Sequence, residues 1–127
     1  MPVSMAALAA TVGFLVIAAF QLALALGAPL GRAAWGGAHE RLPSRLRVAS
    51  AVAVGIWLLA ALVILQRAGI PVVPVPDVVP QWGAWIVVGL LAVGAIMNFA
   101  SSSPWERFGW GPLALILAVL CLIVAIS

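Results

Sequence analysis

Of the 127 residues, 66% are hydrophobic and only 7% are charged, against about 25% charged in soluble domains. That excludes a water-soluble globular domain, because six Arg and three acidic residues cannot supply the polar shell a core of this size requires. The net charge of +3 comes from arginines beside apolar runs, which read as topology signals and contacts to anionic lipid head groups rather than as a nucleic-acid footprint. Cys121 is the only cysteine, which excludes an internal disulfide, a CxxC motif and a Cys/His cluster for zinc, iron–sulfur or covalent haem.

A bilayer core of about 30 Å needs about 20 apolar residues in a helix, and four runs of that kind are present. The first extends from Met5 to Leu26, with Ser4 placed to cap it and Gly27, Ala28 and Pro29 ending it. Its apolar stretch is longer than a signal-peptide core and no basic residue precedes it, so it reads as a retained span. The second rises from Ser44 and ends at Gln66 and Arg67; the third runs from Gln81, with Trp82 and Trp85 at an interface, to Ala100. The fourth runs from Pro104 to Ile126, with Ser103 and Glu106 spaced as a capping box and Pro112 set to kink or break the helix. The expected fold is therefore all-α, a single transmembrane domain over residues 1–127: an integral membrane four-helix bundle made of two helical hairpins.

Arg32, Arg41, Arg45 and Arg47 lie between spans one and two and Arg107 between spans three and four, whereas the middle connection holds only Arg67 beside Asp77. The positive-inside rule then puts those five arginines in the cytoplasm and both termini outside a cell membrane. The segment Pro71 to Pro80 carries prolines at 71, 74, 76 and 80 and is expected to be extended, serving as a stiff spacer or as a docking strip for an outside partner. Small residues at helical spacing mark candidate packing faces: Ala9 with Gly13, Ala51 with Gly55, Gly89 and Gly94 with Ala92 and Ala95, and Ala114, Ala118, Cys121 and Ala125.

No ionisable residue falls well inside a span, which argues against proton coupling through a membrane carboxylate. His39 is the only histidine, and with Glu40 and Glu106 as the only carboxylates on its side no metal site or catalytic triad is expected. Neither catalytic residues nor a cofactor can be assigned. What remains is a convergence of depth: Gln21, Ser50 and Asn98 lie within about 10 Å of the arginine-bearing ends of their spans. Together with Arg32, His39, Arg45, Arg47 and Arg107 they form a candidate polar cup for an anionic or lipid-like ligand. Ser103 and Glu106 are assigned to helix capping, with Arg107 left free to face the first loop. The same residues also admit a purely structural reading, in which arginines hold topology and amides bond between helices.

The first loop, Gly27 to Pro43, is long, apolar and rich in glycine, and can serve as an interfacial connector or dip back toward the membrane, anchored by Trp35. Its Trp35-Gly36-Gly37-Ala38-His39, the following Leu42-Pro43-Ser44-Arg45-Leu46-Arg47, and the stretch from Asn98 to Pro112 with Glu106-Arg107 resemble small four-span membrane proteins of high-GC actinobacteria. The resemblance implies a bacterial source and brings no activity or catalytic residue with it. The functional expectation is a non-enzymatic membrane protein that binds membrane lipid, an anionic small ligand or a partner membrane subunit, including a second copy of itself. A small oligomeric transporter or channel is the alternative, and a membrane enzyme acting through Glu106 or His39 on a lipid-soluble substrate is the third reading. Nucleic acid is not an expected partner.

Overall fold

A computed structural model describes all residues 1–127. It contains four helices long and apolar enough to cross a membrane, and no strand. Helix α1 spans Val3–Ala25, α2 Ser44–Arg67 and α3 Val78–Phe99; a helix starting at Pro104 passes through a π-type segment, Glu106–Trp110, and continues as α4, Gly111–Ala125. Large apolar side chains such as Val12, Leu59, Ile86 and Ile116 stay exposed on every helix, the surface that suits a solvent of lipid tails rather than water.

Local chemistry sets the boundaries. Helices α1 and α2 both end in a Schellman arrangement: Ala28 N–H reaches Ala23 O, Gly27 N–H reaches Leu24 O, Ile70 N–H reaches Leu65 O and Gly69 N–H reaches Gln66 O. Gly27 and Gly69 supply the positive φ values of 90° and 87° that this ending requires. Ser4 is not the cap of α1, because the helix begins at Val3 with Pro2 before it. The third helix also starts earlier than expected, at Val78, so that Pro80 lies inside its first turn, where a missing N–H costs no helical hydrogen bond. The rest of the proline segment is non-helical and is held by Gln66, whose Oε1 accepts from Val72 N–H at 2.9 Å and Val73 N–H at 3.2 Å.

Pro112 neither breaks the fourth helix nor leaves it regular. Gly111 N–H donates to Glu106 O, five residues back, and the widened turn relieves the clash between a proline ring and the preceding turn. The π segment brings Trp110 against Phe20, with ring centroids 4.6 Å apart.

The bundle is solid at one end and hollow at the other. Its main core joins Ala6, Ala10 and Phe14 of α1 to Ala60 and Ile64 of α2, Ala84 and Val87 of α3, and Cys121 and Val124 of α4. These come from the first half of α1 and α3 and the second half of α2 and α4, so they share the end that carries the proline segment. Close approach there depends on glycine: a Cβ on Gly13 would overlap a methyl of Leu117, and one on Gly83 would lie 2.8 Å from Val63 Cγ1. The expected packing stripes are accordingly re-registered. Ala9, Ala51, Gly55, Gly89 and Ala92 are exposed, while Ala114, Ala118, Cys121, Ala125 and Ala95 are buried as their spacing implied.

Candidate functional site

At the arginine-rich end the helices enclose a cavity of about 780 Å³, inside the range of about 300–1,000 Å³ typical of ligand pockets. Its floor is apolar, formed by Ile17 of α1, Trp57 of α2, Leu91 of α3 and Ala114 of α4, with Phe20 and Met97 above them. Trp57 stacks on buried Phe14 at 5.8 Å between centroids, which ties the floor to the core below. Trp57 stands 13 positions after Ser44, a rise of about 20 Å, and Leu91 stands eight before Phe99, about 12 Å. The cavity therefore reaches toward the middle of a bilayer of about 30 Å. Its mouth is polar, with Gln21, His39, Arg45, Asn98, Ser101 and Glu106 on the lining.

The first loop covers this mouth. It folds into two short turns, Gly31–Ala33 and Trp35–Gly37, closed at the base where Gly31 N–H donates to Glu40 O at 2.8 Å. Gly31 is obligatory, since a Cβ there would overlap the carbonyl oxygens of His39 and Glu40. Trp35, Gly36 and Gly37 follow one another at φ of 49°, 83° and 76°, a left-handed run that is costly for tryptophan and easy for glycine. Trp35 is held in it because its Nε1–H donates to Ser50 Oγ at 3.0 Å, about 9 Å into α2. Leu24, Ala34 and Leu42 form a small second core under the loop, with Phe20 and Leu46 against it.

The loop is also clasped to the opposite hairpin. Glu106 Oε1 accepts from Gly36 N–H at 3.0 Å and from Ser101 Oγ at 2.6 Å, and Ser103 Oγ donates to Arg32 O at 2.6 Å. Ser103 also receives Glu106 N–H at 3.4 Å, so it caps the helix. The reciprocal half of the capping box is absent: Ser103 N–H donates to Ser101 Oγ at 3.0 Å, not to the Glu106 carboxylate, which reaches across to the loop instead.

Of the residues expected to form the cup, Gln21, His39, Arg45 and Asn98 line one cavity. Arg32, Arg47, Ser50 and Arg107 do not, and each has a visible reason. Arg32 donates to Gly37 O and Ala38 O at 3.1 and 3.2 Å, closing its own loop. Arg47 donates to Ala25 O at 3.0 Å, beside Arg41 on Gly27 O at 2.9 Å, so these two cations satisfy carbonyls at the C-terminus of α1. The buried Ser50 hydroxyl is occupied by Trp35. Arg107 is exposed, with its guanidinium 5.6 Å from the Phe108 ring; the neighbouring Glu106 faces the first loop in its place. Arg45 is the one arginine on the lining.

The two membrane amides differ. Asn98 Nδ2 donates to Gly94 O in its own helix at 2.7 Å, whereas Gln21 Oε1 is buried without any partner, a state that costs about 1–3 kcal/mol unless a bound group donates to it. Among the lining residues outside the expected cup are Phe20, Trp57, Leu91 and Met97. As apolar positions in apolar spans they carry no signal that separates a cavity wall from a lipid face. No protein-family model, no curated protein and no solved structure matches the chain.

Proposed function

We propose that this chain is a non-enzymatic membrane protein that binds an anionic amphiphile in the cavity at its arginine-rich end, which the arginine bias assigns to the cytoplasmic leaflet and the resemblance to a bacterial cell membrane. The observation that carries the reading is the ordering of the lining, with an apolar floor of Ile17, Trp57, Leu91 and Ala114 beneath a mouth holding Arg45, His39 and Asn98. Arg45 suits a phosphate or carboxylate head. Close packing at the other end, through Gly13 and Gly83, supports a binding pocket over a path through one chain.

Titration of the purified protein in a neutral detergent with dodecyl phosphate tests this. Arg45→Gln should weaken binding on the order of tenfold, the worth of one charge-assisted hydrogen bond, and Arg107→Gln should leave it unchanged. Equal affinities of Arg45→Gln and the unaltered protein would defeat the reading. Turnover of a supplied lipid, lost in Glu106→Gln, would replace it with a membrane enzyme, since Glu106 and His39 line the same cavity.

A further inference from the structure

The cavity has two sides on which it is not enclosed by helix packing, and they differ in kind. Toward the aqueous end it is roofed by the first loop, which Glu106, Ser101 and Ser103 fasten to the second hairpin. Toward the membrane plane it meets the seam between α2 and α3. That seam is tight at the proline end, where Gly83 admits Val63 at contact distance. Three turns along α3 it has parted: a Cβ on Gly94, which lines the cavity, would find nothing within 4 Å. Met97, one turn beyond Gly94, lines the cavity and is 67% exposed on the helix surface. A residue that does both marks a side opening of the cavity, which runs from Met97, about 3 Å from the end of α3, down to Gly94, about 8 Å from it, where acyl chains begin.

We infer that the ligand is a membrane lipid with an anionic head, and that it reaches the cavity sideways from the bilayer through the α2–α3 seam at Gly94 and Met97. This rests on the binding reading above and specifies its ligand and route. One acyl chain lies along Met97 and Gly94 onto Leu91 and Trp57, while the phosphate or carboxylate stays at the level of Arg45 and His39, below the roof formed by the loop. The asymmetry follows from cost. Opening the roof breaks the hydrogen bonds at Glu106 and Ser103, whereas at the seam Gly94 offers no side chain and Met97 a flexible one.

The full chain, reconstituted into phosphatidylcholine vesicles containing a minor fraction of phosphatidic acid with a mid-chain diazirine, tests the inference by photolabelling and peptide mass spectrometry. Label should concentrate on Trp57, Leu91 and Met97 and fall several-fold when Gly94→Leu fills the seam; Met97→Trp provides the same block by a second substitution. A diazirine phosphatidylcholine of the same chain should label these residues several-fold less. Label confined to outward residues such as Val12 and Ile116, or unchanged by both seam variants, would overturn the lateral route. Inorganic phosphate binding in detergent as tightly as dodecyl phosphate would overturn the lipid assignment, because the head alone would then account for affinity. Arg45-dependent binding of dodecyl phosphate with no seam labelling would leave the pocket reading standing and remove this inference alone.

Discussion

Glu106 and Gly36 stand 70 positions apart in the chain, yet the carboxylate Oε1 accepts the Gly36 N–H at 3.0 Å. The left-handed run from Trp35 to Gly37 presents that N–H, and the start of the fourth helix presents the carboxylate. Because the loop belongs to the first hairpin and Glu106 to the second, this contact couples the roof of the cavity to the relative position of the hairpins. A carboxylate that sequence spacing assigns to capping its own helix thus serves to fasten another segment.

Glu106→Ala should release the loop without unfolding the bundle, because the main core lies at the opposite end. Amide hydrogen exchange at Gly36 and Gly37 should accelerate by about ten- to a hundredfold, corresponding to about 1.5–3 kcal/mol for hydrogen bonds to a charged acceptor. Glu106→Gln, which keeps an oxygen acceptor, should show a smaller change. Unaltered exchange at Gly36 in the alanine variant would remove the clasp.

Trp35 and Ser50 should be energetically coupled. In a cycle of Trp35→Phe, Ser50→Ala and the double variant, unfolding in detergent should yield a coupling of about 0.5–1.5 kcal/mol for the lost indole-to-hydroxyl hydrogen bond. Strict additivity would mean that the 3.0 Å contact contributes nothing to holding the loop.

Glycines should divide by what surrounds them. Gly31→Ala must displace backbone at His39 and Glu40, and Gly13→Ala must displace a buried Leu117 methyl; each should cost about 1–3 kcal/mol. Gly55→Ala meets nothing within 4 Å and should instead stabilise α2 by up to about 1 kcal/mol through helix propensity. Melting temperatures of the three variants in one detergent check the order, and a Gly31→Ala protein as stable as Gly55→Ala would contradict the tight loop base.

Orientation is accessible to labelling in a Cys121→Ala background. A cysteine at Ser102, exposed at the arginine end, should resist an impermeant thiol reagent in intact cells, and a cysteine at Val72, exposed in the proline segment, should react. The reverse pattern would invert the leaflet assigned to the cavity.

The sequence by itself determined the four spans, their hairpin order and most of their ends, because these follow from local quantities: apolar length against a rise of about 1.5 Å per residue, glycine at positive φ, proline in a first turn. It also determined that polar groups gather at one end, since charges collect where spans stop. Only the tertiary structure decided which of those groups meet. Neighbouring positions on a helix point about 100° apart, so whether Glu106 or Arg107 faces the loop depends on where the other hairpin lies. Three arginines of the first loop and helix, Arg32, Arg41 and Arg47, are drawn to backbone carbonyls that a loop near lipid cannot leave unpaired, and that demand exists only once the loop has folded. The hollow itself has no local signature, because Trp57, Leu91 and Met97 satisfy the membrane equally well facing a tail inside the bundle or one outside it.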